Sequence, residues 1–328
     1  MTDLAGKYLS YIATVRRYAP RTQAIYAQVL KDFADFAETD TGSAREDIAA
    51  FLTPSVIRSY EVHLLDARGE NPRTVNLHLS VLSGFCRFLM KEKVLTSNPA
   101  RMVTRPKMEK RLPVFYREES MQEYFSATQS VVSRENLELI RGRDRTSRAV
   151  YSRRLNRLVV SILYGTGIRR AELLGLTVGS VDFARGTLTV RGKGDKMREI
   201  PLVPSLCEEI SLYLQAVETM EGRGRSAREP LLVTPKGAKL YPVFVDRVIK
   251  SELGQVGSIT GRKSPHVLRH TLATGLLNGG ADLNSIKELL GHASLSATQV
   301  YTHNSIEKLK KVYSHAHPRA KSGGNHGD

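Results

Sequence analysis

A proline-bounded basic segment, residues 105–113, is the feature that most constrains how this chain of 328 residues can fold. It reads Arg-Pro-Lys-Met-Glu-Lys-Arg-Leu-Pro. Proline lacks a backbone donor and disfavours helix in the residue before it, so such a run is extended. We therefore predict a linker over 105–113, between one domain over 1–104 and a second over 114–318. The tail, 319–328, is polar and rich in glycine, and we predict that it is disordered.

The first domain is predicted to be a compact helical module. Apolar residues recur at helical spacing in four runs, over 4–17, 21–39, 53–67 and 71–88. The last two runs begin with Thr53-Pro54 and Asn71-Pro72, each a capping residue followed by proline at the first helical position. Cys86 falls within the apolar period of the fourth run, which indicates a core residue.

The charge of the chain indicates a polyanionic partner. Its 49 Lys and Arg residues against 33 Asp and Glu residues give a formal net charge of +16. A positive field of this size attracts nucleic acid. A merely basic surface and a patch for anionic lipid remain alternatives, and the second is disfavoured because no helix pairs a basic stripe with exposed aromatic residues. Two cysteines make no disulfide framework, and we find neither a secretory signal nor a membrane span, so we expect a cytoplasmic location.

The second domain is predicted to mix helices with a small β-hairpin. Helices are expected over 117–127, 148–164 and 204–220, and β-strands over 186–191 and 196–200 on either side of a Gly-Lys-Gly-Asp turn. The apolar run 231–233 is also strand-like. The polar segment 126–147 has weak periodicity and receives no assignment.

Residues 264–301 bring together side chains suited to an anion. Ser264-Pro265 starts a helix that carries His266, Arg269 and His270 on one face, near a positive helix end. A second helix, from Asp282, ends at Gly291 and presents His292, and a short helix from Ala297 projects Tyr301. The two histidines of the first helix are alternatively a zinc pair, the face a solvated basic one, and the tyrosine a packing residue.

Further basic residues lie upstream. Arg169 follows a glycine turn at a helix start, and Glu172 stands one turn later, where it can orient that arginine. The hairpin carries four cations, for which we predict contact with phosphate: Arg191, Lys193, Lys196 and Arg198. In the linker, Arg105 and Lys107 either follow a phosphate backbone or are solvated.

These residues together resemble the tyrosine site-specific recombinases, the phage integrase family. The resemblance rests on Arg169 in Thr-Gly-Ile-Arg-Arg-Ala-Glu-Leu, Lys193 in Gly-Lys-Gly, His266-x-x-Arg269, Gly291-His292 and Tyr301. The run from Ser264 through His317-Pro318-Arg319-Ala320 is similar to the Xer branch, and Ala19-Pro20-Arg21-Thr22 and Asn98-Pro99-Ala100 fall where the family has such motifs. The segment 126–147 is longer than the usual Xer connection.

The resemblance implies a mainly α fold. A SAM-like helical core-binding domain would precede an α+β catalytic domain with a small antiparallel β-sheet. Tyr301 would be the nucleophile, Arg169 and Arg269 the phosphate clamp, Lys193 the acid, His266 the base and His292 a phosphate ligand, with Glu172 holding Arg169. Neither metal nor another cofactor is implied.

The resemblance also implies partners. These are double-stranded DNA with a specific recombination site, a homo- or hetero-tetramer joined through residues 305–312, and a DNA translocase of the FtsK type, for chromosome or plasmid dimer resolution. An integrase of a mobile element, a type IB topoisomerase and a silent DNA-binding protein remain alternatives.

Overall fold

The computed structural model describes residues 3–42, 48–108, 114–192 and 195–291. The chain divides into two compact units, Met1–Arg111 and Leu112–Asp328, and the division falls within the segment 105–113. None of the helices in the described ranges is both long and apolar enough to cross a membrane.

The described residues of the first unit form four α-helices, which confirms the helical prediction: α1 Asp3–Thr14, α2 Pro20–Thr41, α3 Pro54–Val62 and α4 Pro72–Lys91. Short turns of 3₁₀-helix at Ile48–Phe51 and Pro99–Arg101 and a π-helical turn at His63–Ala67 complete it. The predicted caps form, since Thr53 Oγ1 accepts from the amide of Val56 at 3.2 Å and Asn71 Oδ1 accepts from two amides.

The core of the first unit is aromatic. Phe33, Tyr60 and Phe85 are fully buried, and Cys86 lies among them as its spacing predicts. The buried hydroxyl of Tyr60 finds a partner in Nδ1 of His78, at 2.8 Å. The helices therefore pack through the apolar stripes visible in the sequence.

The second unit is built around one long helix. Its helices are α5 Glu118–Ala127, α6 Arg134–Glu138, α7 Arg145–Thr166, α8 Arg170–Gly175, α9 Pro204–Glu221, α10 Pro242–Gly254, α11 Pro265–Asn278 and α12 Leu283–Leu290. Helices α9, α10 and α11 all pack against α7. From residue 154 onwards α7 is buried almost throughout, so it positions the elements that carry the site.

A three-stranded antiparallel β-sheet lies in this unit, with the order β1 Val181–Asp182, β2 Thr187–Arg191, β3 Met197–Pro201. This confirms the predicted hairpin. The strand-like run 231–233 is buried but forms only an isolated bridge, from Val233 to Lys239, so that expectation was wrong. Its apolar residues serve the core without a neighbouring strand, which periodicity alone cannot distinguish.

The unassigned segment 126–147 is tied to α7 by arginines. It forms a 3₁₀ turn at Gln129–Val132 and the short helix α6, and Asp144 then caps α7. Arg157 on α7 donates from Nε to Thr128 Oγ1 at 2.9 Å and forms an ion pair with Glu209 at 2.6 Å. The segment 126–147 is therefore anchored to the core through buried polar contacts.

Candidate active site

The site begins at the end of α7, where the chain turns into α8. Gly167 closes α7 with a left-handed φ of 63°, and a Cβ there would lie 2.6 Å from a methyl group of Leu290. Glycine is therefore needed for both backbone conformation and close packing. The turn places Arg169 at the N-cap of α8, where its amide donates to Oε2 of Glu172 at 2.8 Å.

The carboxylate of Glu172 accepts hydrogen bonds from two guanidinium groups. Its Oε1 accepts from Nη1 of Arg169 at 3.0 Å and from Nη1 of Arg198 at 2.9 Å, while its Oε2 accepts from Nη2 of Arg198 at 2.9 Å. Burial by itself raises the pKa of Glu172, but hydrogen bonds from Arg198 and from the amide of Arg169, together with nearby positive charge, outweigh it and lower the pKa. Glu172 is therefore an anion that fixes two cations.

Arg269 reaches the same place from α11. Its Nη1 donates to the carbonyl of Gly167 at 2.7 Å, and its Nη2 donates to the carbonyl of Leu290 at 2.5 Å. Burial, followed by the charges of Arg169 and Arg198, lowers the pKa of Arg269 to about 10. The group stays charged at neutral pH, held in a site where positive charge is crowded.

The three arginines meet at the carboxyl end of α12. Arg198 donates to the carbonyl of Leu289 at 3.1 Å, Arg269 to that of Leu290, and Arg169 to that of Gly291 at 3.2 Å. The last carbonyls of a helix lack partners inside it and form its negative end. The cluster therefore caps α12 at Gly291, the residue directly before His292.

Three guanidinium groups around one carboxylate leave a positive surplus in a partly enclosed place. An uncompensated buried charge is costly, so this arrangement favours an anionic ligand. The side chain of Arg169 is 38% exposed, whereas those of Arg198 and Glu172 are 7% and 6% exposed. Arg169 thus presents the cluster to solvent.

His266 lies on the exposed side of α11, which begins at Pro265 after the predicted N-cap residue, Ser264. Partial desolvation, then the charges of His270 and nearby arginines, lower the pKa of His266 below its ordinary value of 6.5. The imidazole is consequently neutral at neutral pH and able to accept a proton.

A cavity of about 620 Å³ opens beside His266. Its lining includes four cationic side chains, with Asp246 among them as the ion-pair partner of Arg170: Arg170, Lys250, Arg262 and Lys263. A polyanion passing the site would meet this basic wall.

The predicted site residues thus fall into three groups. Arg169, Glu172 and Arg269 come together, with His266 on the same helix as Arg269. Arg191 and Lys196 are exposed, as is Lys107, and Arg105 donates to Ser80 Oγ at 2.9 Å. Lys193, His292 and Tyr301 lie outside the described residues, as do the helix from Ala297, the segment 305–312 and the tail 319–328.

Arg198 departs from its predicted contact with phosphate, because its guanidinium points inward and is held by Glu172. The signal was present in the alternation of the strand. Ile200 and Leu188 are buried and paired in register, so the residue two positions before Ile200 lies on the same inward face.

Comparison with known proteins agrees with this geometry. The model of the phage integrase family matches residues 135–308, and that of the N-terminal SAM-like domain of phage integrases matches residues 6–93. Tyrosine recombinase XerC of Chlorobaculum parvum is 34% identical over 320 residues, covering 95% of this chain and 94% of the relative. The XerC of Bacillus subtilis is 33% identical over 319 residues, with 95% of each chain covered.

Solved structures show the same fold. The XerH site-specific recombinase bound to difH substrate matches with a TM-score of 0.60 at 20% identity, over 94% of this chain and 83% of that one. The lambda integrase bound to DNA matches with a TM-score of 0.61 at 20% identity, over 91% and 95%. From its family models and its XerC relatives, this chain belongs to the phage integrase family and is a site-specific tyrosine recombinase of the Xer type, an enzyme that cuts and rejoins DNA strands.

Proposed function

We propose that this recombinase exchanges DNA strands through a covalent bond between Tyr301 and a phosphate of its recombination site. The observation that carries the proposal is the convergence of three arginines on the carboxyl end of α12, where Arg169, Arg198 and Arg269 donate to successive carbonyls and the first two also share the carboxylate of Glu172. The surplus charge suits a phosphodiester, and more so the pentacoordinate transition state, in which negative charge accumulates on the non-bridging oxygens.

In the cleavage step the phenol oxygen of Tyr301 attacks phosphorus as the bond to the 5′-oxygen breaks. His266 accepts the phenolic proton, and Lys193 donates a proton to the departing 5′-oxygen. Arg169 and Arg269 stabilise the non-bridging oxygens, and His292 donates a hydrogen bond to the phosphate. The products are a 3′-phosphotyrosyl link and a free 5′-hydroxyl.

Rejoining is the same step reversed with a different 5′-hydroxyl. The phosphoester bond is exchanged rather than hydrolysed, so the strand exchange needs no ATP. Glu172 keeps Arg169 oriented through both steps, since its carboxylate accepts from the backbone and the side chain of that arginine.

DNA outside the scissile phosphate is proposed to contact the basic surface. The candidates are the exposed Arg191 and Lys196 of the hairpin, and Arg105 and Lys107 of the predicted linker. The basic cavity beside His266 adds a further wall. Arg191 pairs with Asp195 in the described structure, so that contact requires an exchange of partners.

The cellular role we propose is the resolution of chromosome or plasmid dimers, in the cytoplasm. The support is that the relatives at 32–36% identity bear the name XerC and match over nearly their whole length. Exchange between two duplexes needs four protomers, joined through the segment 305–312 in a homo- or hetero-tetramer. An FtsK-type translocase is the proposed activator.

The nucleophile is tested by Tyr301→Phe on a nicked suicide substrate. We expect normal DNA binding and complete loss of the covalent complex, because phenylalanine has no hydroxyl. Tyr241→Phe is the matched control, since Tyr241 is an exposed tyrosine of the same unit, and it should form the complex at the normal rate. A persisting adduct in Tyr301→Phe would show that another residue is the nucleophile.

The acid is tested separately with Lys193→Ala. This variant should cleave slowly on ordinary DNA and at a nearly normal rate on a 5′-bridging phosphorothiolate, because sulfur leaves without a proton. If the modified substrate gives no rescue, Lys193 does not protonate the leaving group.

A further inference from the structure

Arg198 and Arg269 are the two buried arginines of the site, and Arg198 differs from Arg269 by forming a two-point pair with the carboxylate of Glu172. Its side chain is 7% exposed, and its two terminal nitrogens donate to the two oxygens of Glu172, both at 2.9 Å. Its Nε donates to the carbonyl of Leu289 at 3.1 Å. All three nitrogens of the planar guanidinium are thus engaged with protein acceptors, and the group is not presented to a DNA backbone.

The groups that accept hydrogen bonds from Arg198 also bind Arg169 or adjoin the acceptor of Arg269. Oε1 of Glu172 accepts a hydrogen bond from Nη1 of Arg198 and another from Nη1 of Arg169. Arg198 donates to the carbonyl of Leu289, and Arg269 donates to the adjacent carbonyl of Leu290. A displacement of Arg198 would therefore move the carboxylate behind Arg169 and release one end of the carbonyl row on α12.

Packing around the guanidinium leaves little freedom. A Cβ on Gly291 would lie 3.2 Å from both Cζ and Nη1 of Arg198, and the residue has a left-handed φ of 66°. The helix end therefore lies directly against the plane of Arg198. Close packing and a fixed fork of donors together specify one orientation.

We propose that Arg198 is a positioning residue, which sets the orientation of Arg169 through Glu172 and holds the end of α12 from which the chain continues to His292. The inference rests on the proposed function, since it concerns the cleavage step carried by Tyr301. Lysine cannot replace it: an ammonium is a point charge without the planar fork that reaches two carboxylate oxygens and a carbonyl at once.

The test compares Arg198→Lys with Arg185→Lys. Arg185 is a matched control because it makes a similar two-point pair with Glu199 on the same sheet, at 3.2 and 3.0 Å, but in an exposed place. On the nicked suicide substrate, Arg198→Lys should form the covalent complex roughly 10- to 100-fold more slowly, the usual cost of a misplaced catalytic group. Arg185→Lys should react within about threefold of the unchanged protein, a range consistent with an exposed ion pair. Equal rates for the two variants would overturn the proposal.

Two further readouts separate positioning from direct contact. In Arg198→Gln, which removes the charge, a lost phosphate contact would reduce the salt slope of DNA binding by about 0.9, whereas loss of a positioning residue leaves the slope unchanged. The 5′-bridging phosphorothiolate should not restore the rate of Arg198→Lys, because the defect lies at the phosphate clamp and not at the leaving group. A reduced slope, or rescue by sulfur, would contradict the proposal.

A double-mutant cycle tests the route through Glu172. In a Glu172→Gln background, replacing Arg198 by lysine should slow cleavage much less than in the unchanged protein, because the carboxylate through which it acts is gone. Additive effects would show that Arg198 acts independently of Glu172, against the proposal.

As a control, thermal unfolding of each variant shows whether the variant is folded. If Arg198→Lys does not fold, Arg198→Gln, which buries no charge, carries the same test, and failure of both to fold would overturn the proposal by making Arg198 a requirement of the fold. The unchanged protein separates the two hypotheses: no Tyr301 adduct there refutes the proposed function, whereas a normal adduct there together with full-rate Arg198→Lys refutes only this inference.

Discussion

Two buried carboxylates of the second unit, Glu209 and Glu172, show how similar groups serve different ends. Glu209 pairs with Arg157 at 2.6 Å, with side chains 3% and 2% exposed, and accepts from Ser161 Oγ at 2.8 Å. Glu172 is equally buried, but one of its partners, Arg169, is 38% exposed. Both clusters hold arginine in the interior, so buried charge by itself does not mark an active site.

The two clusters differ in the direction in which the guanidinium groups of their arginines point. Arg157 turns its nitrogens to the core and to the segment that follows α5, which stabilises the fold. Arg169 is held from behind by Glu172 and Gly291 and faces solvent in front, where a ligand can reach it. An arginine that is fixed on one side and open on the other is preorganised for an anion, with little reorganisation at the moment of reaction.

We expect the greatest change when the buried ion pair between Glu209 and Arg157 is broken. Glu209→Gln leaves the guanidinium of Arg157 buried without its counter-charge, so we expect a loss of about 3–5 kcal/mol of unfolding free energy. Calorimetry of the second unit's transition measures it, and cleavage by the folded fraction should be normal. Adding Arg157→Met should recover part of the loss. A loss below about 1 kcal/mol would mean that the pair contributes little to the fold.

For Arg269→Lys we expect a large loss of cleavage and a small loss of stability, the opposite of Glu209→Gln. Cleavage should fall roughly 100- to 1000-fold, the cost of removing one preorganised donor at a developing charge. Unfolding free energy should change less than in Glu209→Gln, because lysine retains the charge. Single-turnover cleavage and calorimetry on the same samples give both values, with Arg185→Lys as the control. A variant that cleaves normally but unfolds early would place Arg269 with the structural group.

A smaller effect concerns the surplus charge directly. Inorganic phosphate at ten times its dissociation constant should stabilise the protein by about 1.4 kcal/mol through mass action. Arg269→Lys should lose most of this stabilisation, whereas Glu209→Gln should keep it. Thermal shifts at constant ionic strength provide the measurement, with chloride in place of phosphate as the control. An equal shift in both variants would place the anion elsewhere.

The smallest effect is the pH dependence set by His266. Its folded pKa is lowered, so the neutral form that accepts a proton persists below pH 6.5, and the cleavage rate should fall only at lower pH. His270→Gln removes one source of the lowering and should shift this acid limb upward. Cleavage rates between pH 5 and pH 8 test both statements. A limb centred above pH 6.5 would contradict the assignment of His266 as the base.

Local patterns in the sequence predict much of the fold. Caps such as Asn71-Pro72 mark helix starts, because the partners they satisfy lie within a few residues. The hairpin 186–200 is predicted by alternation around a glycine turn. The run 231–233 forms no strand although its pattern predicts one, because a short apolar stretch fits a strand and a buried loop equally well.

The candidate site is predicted in identity but only partly in arrangement. Arg169, Glu172 and Arg269 are visible because their motif context identifies them, although 97 positions separate Glu172 from Arg269 in the chain. The sequence predicts a DNA contact for Arg198 because its charge is evident from the residue type, whereas the direction of its side chain is not. The contacts that correct it, with Glu172 and Leu289, join residues that no local pattern relates.

The helical stripes, the hairpin and the family can be inferred from the amino-acid sequence alone, since each depends on spacing along the chain or on a motif. Which arginines are buried, which one faces solvent and which carbonyls each of them binds depend on contacts between distant parts of the chain. Those outcomes depend on the packing of α8, α11, α12 and β3 around the end of α7, where burial and long-range hydrogen bonds are set together. A guanidinium that is enclosed by protein acceptors positions its neighbours, whereas one that keeps a side exposed to solvent can bind an anion.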